Sequence, residues 1–326
     1  MANMTASFWL CLTLINRISL TLPAMQIDLD IGRPTWDLAL MARPAALQQD
    51  WSYGDAVRAL GGTVLRAGLV ADGVLIGVAQ FTSRKIAGVV GMALCTRGPV
   101  WLEAVPPDAK AAACRALKRG LGLDRPRIVL FSPDETDRSG MKGMKRVMTG
   151  HSTVLLDLDQ SLDALRASLD SKWRNNLTAA EKAGLKVTVS GTKPAQYRWL
   201  LETEEGQRAA RGYRSTPAAL MPAYVEAKGD RDTLLVLRLD EGKQKRAAMM
   251  FVIHGAAATY QMGWLDHENA PRGAHNLLLW QGIEQLRARG VRQLDLGGVN
   301  TTSGAGIARF KIGAGGQVIT LAGTYL

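Results

Sequence analysis

The stretch "AHNLLLWQGIEQLRARGVRQLDLGG", residues 274–298, places a helical pattern directly before a strand-like pattern. Its apolar residues recur at helical spacing up to Gly290, a residue type that commonly ends a helix. The run that follows Gly290 is short and apolar, as expected of a buried strand. Two more strand-like runs, "AAMMFVIHG" and "AAATYQMGWLD", occupy residues 247–255 and 256–266. This part of the chain therefore predicts the order strand, strand, helix, strand.

The first half of the chain contains the same order of patterns. It has strand-like runs at 73–83 and 86–101, a helical run at 106–122 and a strand-like run at 127–132. We expect Arg84 and Lys85 to join the first two strands as a hairpin. The second half, which adds a strand-like run at 233–240, thus repeats the first, and this repetition indicates an internal duplication of one α/β module.

The junction between the two modules is predicted near the strand-like "TVLLDLD", residues 153–159. The preceding segment "SGMKGMKRVMTGH", residues 139–151, is rich in glycine, lysine and methionine, a composition typical of a connector. We therefore predict one module over residues 25–152 and a second over residues 153–326.

Residues 1–24 form an N-terminal extension of uncertain status. "FWLCLTLI", residues 8–15, is apolar but too short to cross a bilayer. No basic residue precedes it and no A-x-A cleavage site follows it, as a signal peptide would require. Three interpretations stay open: a start upstream of a functional protein that begins near Met25, a loose apolar arm, or an atypical signal.

Composition and charge narrow the classes of partner. The chain has 326 residues, of which 47% are apolar, so it can bury a large core. Its 40 Lys and Arg exceed its 29 Asp and Glu, and the formal charge of +11 favours nucleic acid, phosphorylated substrates or a membrane surface. The cysteines are odd in number and form no C-x-x-C pair, which indicates a reducing, cytoplasmic location. They are Cys11, Cys95 and Cys114.

Common catalytic motifs are missing from the sequence. "GAGIAR", residues 304–309, begins like a dinucleotide-binding G-x-G-x-x-G, but Arg309 takes the place of the last glycine. There is no G-K-[S/T] phosphate loop, no H-x-x-x-H or H-E-x-x-H pair, and no nucleophile elbow. We therefore expect neither a metal nor a covalent enzyme intermediate.

A long helix is predicted at the start of the second module. Its apolar positions recur every three or four residues, and Gly184 is expected to end it. These positions are Leu162, Leu165, Leu169, Trp173 and Leu177. Lys172 and Arg174 are two residues apart and cannot share one helical face, so we expect one to point inward and the other outward.

Five segments appear in an order that resembles a known family. They are "LQQDWSYGDAVRALGG" (47–62), "TRGPVW" (96–101), "SKWRNNLTAAEKAGLKV" (171–187), "ARGYR" (210–214) and "LDLGGVNTTSGAGIARFKIGAGG" (294–316). The series resembles the FemABX peptidyltransferases and the related BioF2-like GNAT acyltransferases over about residues 45–326. The K-x-R-x-N helix and the closing glycine-rich segment are its most specific parts. The resemblance implies an α/β fold of two tandem GNAT-like mixed-sheet modules, in agreement with the duplication.

The resemblance also implies a reaction. FemABX proteins move an amino acid from aminoacyl-tRNA onto an amine of a peptidoglycan precursor. Phe310 and Lys311 match an F-K pair whose lysine steadies the charged transition state in the family. Such a cation fits the chemistry, because aminolysis of an activated ester builds an oxyanion and needs no protein nucleophile. The alternative is that Lys311 is a solvated lysine near the end of a strand.

The acceptor implied by the family carries a diphosphate, which basic side chains could bind. The candidates are Arg58, Lys172, Arg174, Arg211 and Arg214, with Tyr213 and Tyr260 flanking the channel. We expect at least two of Arg58, Lys172, Arg174 and Arg211 to point into one cleft between the modules. The alternatives are a solvated basic helix face and aromatic residues that belong to the core.

The implied partners are aminoacyl-tRNA, as co-substrate in place of any cofactor, and a UDP- or lipid-linked muramyl peptide. Peripheral contact with an anionic membrane is a further expectation. The alternative donor is acyl-CoA on the same fold, although "NAPRGAHN", residues 269–276, matches the usual CoA pyrophosphate loop poorly. The family's tRNA-contacting coiled-coil arm is absent from this sequence. A catalytically silent binding module is the third possibility.

Overall fold

The structure is a computed structural model that describes residues 25–190, 193–211, 217–230, 232–299 and 304–326. Side chains of residues 207–211 lie outside the description. The described chain forms two mixed β-sheets, each covered by helices, so the predicted two-module α/β fold is confirmed.

The first sheet has eight strands in the order β1-β2-β3-β4-β6-β15-β7, with β5 paired to β3. β4 and β6 run parallel, and their described neighbours run antiparallel. The strands are β1 (Met25–Asp28), β2 (Thr63–Ala71), β3 (Val74–Ile86), β4 (Val90–Thr96), β5 (Val100–Trp101), β6 (Arg127–Ser132), β7 (Arg146–Met148) and β15 (Thr324–Tyr325). Three helices accompany them: α1 (Arg33–Ala42), α2 (Trp51–Ala59) and α3 (Pro107–Gly120).

The hairpin of the first module turns later than the sequence suggested. Arg84 and Lys85 lie inside β3 and pair with β4, so they do not form the turn. The turn contains Ala87 and Gly88, whose φ angles are +49° and +74°. Glycine adopts this left-handed region without steric cost, so the break in the strand falls at Gly88 rather than at the two charges.

The second sheet has seven strands in the order β14-β8-β13-β12-β11-β10-β9. β12 and β13 run parallel, and the other described pairs run antiparallel. The strands are β8 (Ser152–Asp157), β9 (Val187–Ser190), β10 (Leu234–Glu241), β11 (Gln244–His254), β12 (Ala257–Leu265), β13 (Gln293–Gly298) and β14 (Gln317–Thr320). The helices are α4 (Leu162–Ser168), α5 (Ser171–Lys182), α6 (Pro194–Arg211), α7 (Leu220–Lys228), α8 (Ala274–Ala288) and α9 (Ala305–Gly313).

The helix predicted over residues 162–183 is two helices, and that prediction was wrong in this respect. The chain leaves helical geometry at Leu169 and Asp170, between α4 and α5. The Asp170 carboxylate caps α5 by accepting hydrogen bonds from the backbone N–H of Lys172 and Trp173, at 2.9 and 3.3 Å. An aspartate that satisfies free N–H groups favours a helix start, and apolar spacing alone does not reveal such a restart.

The last strand crosses back to the first module. β14 pairs with β8 in the second sheet, whereas β15 inserts between β6 and β7 of the first sheet. The first sheet therefore combines residues 25–148 with residues 324–325. The division at residues 152 and 153 stays a prediction, and the extension 1–24 lies outside the described residues.

The two modules share a hydrophobic core. Leu47 and Ala56 of the first module cluster with Tyr197, Leu200 and Tyr224 of the second. A buried ion pair adds to this contact, because the ammonium of Lys228 lies 2.8 Å from the carboxylate of Asp50. Burial of apolar side chains from both modules in one cluster fixes the position of one sheet relative to the other.

Candidate functional site

The site begins where β12 and β13 diverge. The two strands pair in parallel from Ala257–Thr259 with Gln293–Asp295 and then separate. Lys311 of α9 contacts both strands beyond this point. Its Nζ donates a hydrogen bond to the carbonyl of Gly298 at 2.9 Å and lies 5.8 Å from the centroid of the Tyr260 ring. The structure thus brings together two residues that the sequence had selected, Tyr260 and Lys311.

Lys311 is buried, with 8% of its surface exposed, and it belongs to a helix. The alternative of a solvated lysine on a strand is therefore not what the structure shows. Burial lowers the pKa of Lys311 because it disfavours the charged form, while the carboxylate of Asp295 opposes this shift. A buried ammonium with a fixed hydrogen bond is the kind of group that can stabilise a developing negative charge.

Phe310, next to Lys311 on α9, packs against aromatic side chains of α5 and α8. Its ring centroid lies 5.9 Å from that of Trp173 and 6.0 Å from that of His275. The indole N–H of Trp173 donates to the carbonyl of Phe310 at 3.1 Å. Phe310 therefore joins α9 to α5 and α8, and through α9 it supports the position of Lys311.

A cavity of about 940 Å³ separates α5 from α9. Its walls carry the two most family-specific segments of the sequence, one on each side. The lining residues are Ser168, Asp170, Ser171, Lys172, Trp173, Asn176, Asn276, Ala305, Gly306, Ala308, Arg309, Phe310, Ile312 and Gly313. Two cations and several amide and hydroxyl groups give this cavity the chemistry to bind a polar, anionic ligand.

The described members of the predicted phosphate-binding set have different surroundings. Lys172 is exposed and lines the cavity between α5 and α9. Arg174 is also exposed, and its guanidinium donates to the carbonyl of Leu169 at 3.2 Å. Arg58, at the end of α2, donates to the carbonyl of Val64 at 2.8 Å and lines none of the three cavities described here.

The side chain of Arg211 and the residues Tyr213 and Arg214 lie outside the described residues. The expectation that at least two of Arg58, Lys172, Arg174 and Arg211 point into one cleft between the modules therefore stays a prediction. Arg58 also lies 3.8 Å from the carboxylate of Asp55, whereas Arg174 satisfies a carbonyl at the end of α4, as cations near helix C-termini commonly do.

Arg97 is a functional candidate that sequence reasoning missed. It lies just after β4 with a φ of +54°, a left-handed conformation that is uncommon for an arginine. Its Nε donates to Asp134 at 2.6 Å, and its Nη1 donates to Asp295. Asp134 follows β6 of the first module, whereas Asp295 belongs to β13 of the second. One arginine thus holds a carboxylate from each module.

The two carboxylates differ in proton affinity. Burial raises the pKa of Asp134 to about 6, even though Arg97 lies beside it. Burial would also raise the pKa of Asp295, but the charge of Arg97 and hydrogen bonds from Thr153 and the Gly297 N–H hold it below its usual value. Asp295 therefore keeps its charge when Asp134 begins to bind a proton.

Arg97 also lines a cavity of about 500 Å³ in the first module. The charged residues of this cavity are Arg43, Arg97, Glu103, Lys110, Asp134 and Glu135. The buried indole N–H of Trp101 points to no hydrogen-bond acceptor among the described residues, although Trp101 also lines the cavity. The sequence did single out the segment that contains Arg97, because "TRGPVW" is one of the five family-like segments. No sequence pattern, however, indicated that Arg97 contacts Asp295.

A third cavity, of about 780 Å³, is basic. It is lined by Arg115, Lys118, Arg119, Arg125, Pro126, Arg127, Gly143, Met144 and Leu326. No acidic side chain lines it. Five cations without a compensating acidic side chain attract phosphate groups.

No cluster of three or more His, Cys, Asp or Glu side chains with metal-binding geometry occurs in the part of the chain that the structure describes. In the same residues, no helix has the length and apolar character needed to cross a bilayer.

Comparisons with known proteins agree with this architecture. Residues 165–311 match the acetyltransferase (GNAT) domain family. The crystal structure of FemX is similar over 92% of this chain and 96% of its own, with a TM-score of 0.76 and 13% identity. No curated protein sequence matches the chain.

Two further solved structures share the fold more distantly. The C-terminal domain of a putative lysylphosphatidylglycerol synthetase from Agrobacterium fabrum has a TM-score of 0.52 and 16% identity, over 90% of this chain and 92% of that one. L-PGS from Bacillus licheniformis has a TM-score of 0.53 and 13% identity, over 90% of this chain and 91% of that one. These findings confirm the resemblance to the FemABX-like GNAT group at the level of the fold, and the acetyltransferase domain match over residues 165–311 supports a transferase.

Proposed function

We propose that the protein transfers an amino acid from aminoacyl-tRNA to an amine of a peptidoglycan precursor. The observation that carries this proposal is the buried ammonium of Lys311 at the point where β12 and β13 diverge. An ester donor is already activated, so the protein has to orient it, exclude water and stabilise the oxyanion.

The reaction needs no protein nucleophile. The acceptor nitrogen attacks the ester carbonyl, a C–N bond forms, and the C–O bond to the terminal ribose of the tRNA breaks. The proton lost by the nitrogen ends on the ribose oxygen that leaves. Lys311 stabilises the negative carbonyl oxygen between these two steps, because its ammonium is held in place before the reaction starts.

The donor's terminal phosphates fit the cavity between α5 and α9, where Lys172 and Arg309 supply positive charge. The basic cavity of the first module provides a second contact for a polyanion. The acceptor is a UDP- or lipid-linked muramyl peptide. The likeness to a lysylphosphatidylglycerol synthetase supports a peripheral contact with an anionic membrane.

An acyl-CoA-dependent N-acyltransferase on a small or cell-envelope amine is the second candidate. The match of residues 165–311 to an acetyltransferase domain favours it. Both donors present an activated acyl group and an adenosine with phosphates, so the cavity between α5 and α9 suits either chemistry.

The test is a product assay that offers both donors. Purified protein is incubated with charged tRNAs or with acyl-CoAs, together with UDP-muramyl peptides, and the acceptor is analysed by mass spectrometry. The proposal predicts addition of one aminoacyl residue from charged tRNA. An adduct formed only from acyl-CoA would establish the second candidate, and no adduct from either donor would favour a binding module.

A further inference from the structure

Lys311 is connected to the first module through two hydrogen bonds and the short stretch of β13 backbone that joins them. Its Nζ bonds the carbonyl of Gly298, and Gly298 follows an irregular segment of β13 that begins at Asp295. Asp295 in turn bonds Arg97 of the first module. Each step is a direct hydrogen bond or a few bonds of strand backbone.

The irregular segment is a β-bulge. Asp295 pairs with Leu155 and Gly298 pairs with Thr153, so β13 advances three residues while β8 advances two. Gly297 within the bulge has a φ of +77°, and a side chain there would lie 3.5 Å from the Lys311 ammonium. Bulges of this kind redirect backbone groups, and this one turns the Gly298 carbonyl toward Lys311.

Asp295 holds the bulge in shape. Its Oδ1 accepts hydrogen bonds from the hydroxyl of Thr153 at 2.6 Å and from the backbone N–H of Gly297 at 2.7 Å. Its Oδ2 accepts from Arg97. Both oxygens of a buried carboxylate are thereby used, one within the second module and one across to the first.

We propose that Asp295 and Arg97 are positioning residues that hold the Lys311 ammonium in place, so that the site is complete only when the two modules are docked. The role of Lys311 in this statement rests on the proposed function. Neither Asp295 nor Arg97 needs to touch a substrate to act in this way. Asp134 holds Arg97 from the other side and keeps it directed toward Asp295.

The charged groups near Lys311 determine its pKa, which a titration measures. The charged and titratable groups described around it are Asp295 and Tyr260, with Arg97 and His151 beyond Asp295 and Glu204 near Tyr260. Burial raises the pKa of Tyr260 far above the neutral range. The carboxylate of Asp295 favours the charged form of Lys311 and so opposes the lowering of the Lys311 pKa by burial.

The first experiment is an NMR titration of ¹³C-lysine-labelled protein, with the Lys311 ε-carbon assigned through Lys311→Met. Asp295→Asn removes the carboxylate with little change in shape. We expect the Lys311 midpoint to move to lower pH, because loss of a nearby anion disfavours the ammonium. Thr153→Val keeps every charge but removes one bond to Asp295, and we expect a smaller shift in the same direction.

The second experiment measures turnover with the donor identified by the product assay. Arg97→Lys keeps the charge but cannot bond both carboxylates in one plane. We expect kcat to fall roughly tenfold to a hundredfold, as for a small misplacement of a reacting group, with KM nearly unchanged. The matched control is Arg66→Lys, since Arg66 is a buried arginine of the first module whose Nη2 lies 2.7 Å from Asp55.

An unchanged Lys311 titration in folded Asp295→Asn protein, or unchanged turnover in folded Arg97→Lys protein, would overturn the proposal. An equal loss of turnover in Arg66→Lys would also overturn it, since that result indicates a general effect on stability. If Asp295→Asn does not fold, the Lys311 titration of Thr153→Val is the test. An unchanged midpoint in Thr153→Val would then overturn the proposal. The titration needs no substrate, so a failure of the proposed function and a failure of this inference are distinguishable.

Discussion

The buried ammonium of Lys311 donates a hydrogen bond to the carbonyl of Gly298 and lies near the ring of Tyr260, with the carboxylate of Asp295 farther away. Each neighbour restricts where the charge can lie, so the position of the ammonium is fixed before any ligand arrives. This is the physical requirement for oxyanion stabilisation without reorganisation during the reaction.

Replacing Lys311 with methionine keeps much of its length and removes its charge. We expect Lys311→Met to lower turnover roughly a hundredfold to a thousandfold, the range for loss of one oxyanion donor, and to change acceptor affinity far less. Steady-state kinetics with charged tRNA and a muramyl peptide measure both quantities. The control is Lys243→Met, an exposed lysine at the β10–β11 turn; equal turnover in Lys311→Met and wild type would remove Lys311 from the mechanism.

The raised pKa of Asp134 predicts that the free energy of unfolding depends on pH. Its pKa is raised from 3.8 to about 6, so the folded state binds more protons than the unfolded state between these values. By linkage, its contribution to the free energy of unfolding falls as pH rises through this window. We expect the stability of wild type relative to Asp134→Asn to decrease from pH 4 to pH 7, as measured by urea denaturation. An increase over that range would contradict the assignment.

The residues at the module boundary show why sequence reasoning reached only part of the site. Lys311 and Tyr260 could be selected because each lies in or near a recognisable segment. Arg97 and Asp295 are 198 positions apart, and their contact depends on how the two modules dock. Local spacing carries no information about such a pair.

At the scale of elements, repeated patterns were sufficient to predict the central strand, strand, helix, strand order of each module, which the structure has as β3, β4, α3 and β6 and as β11, β12, α8 and β13. The break between α4 and α5 could not be predicted from apolar spacing, because Leu169 continues the spacing while Asp170 restarts the helix. Helix α9 was missed because Gly304 precedes it and Gly306 lies in its first turn, and glycines at this spacing usually indicate a loop. Its packing against Trp173 through Phe310 supplies stability that propensity does not.

The cap of α5 gives a prediction at this scale. Asp170→Ala removes the acceptor for two backbone N–H groups, so we expect a loss of about 1 kcal/mol in the free energy of unfolding. Chemical denaturation measures this loss. Asp159→Ala is the control, because Asp159 is an exposed aspartate in the loop before α4. A similar loss in both variants would show that the cap is not responsible.

At the scale of the whole molecule, the excess of positive charge is concentrated in part around the basic cavity of the first module. Guanidinium groups there bond mainly to backbone carbonyls, as Arg127 does with the carbonyls of Leu123 and Arg119. Their charge therefore remains available to an anionic partner.

Reversing two of these charges tests that partner. We expect Lys118→Glu combined with Arg119→Glu to weaken tRNA binding and to make it less sensitive to salt, because each lost phosphate contact reduces the salt slope by about 0.7 to 0.9. Fluorescence anisotropy at several salt concentrations measures both effects. Lys243→Glu combined with Lys245→Glu changes the same charge at the β10–β11 turn and is the control. Equal weakening by both pairs would indicate only the loss of net charge.

The insertion of β15 between β6 and β7 has a consequence for how the protein is made. Synthesis runs from the N-terminus, so most of the first sheet leaves the ribosome long before Thr324 and Tyr325 do. Until those residues arrive, the edge of β6 lacks its partner and the side chain of Phe131 lacks the cover that Ala322 and Tyr325 provide. The first module thus begins to form first but is completed last. A nascent chain stalled within the second module would expose the unpaired edge of β6. Unpaired sheet edges of this kind promote aggregation.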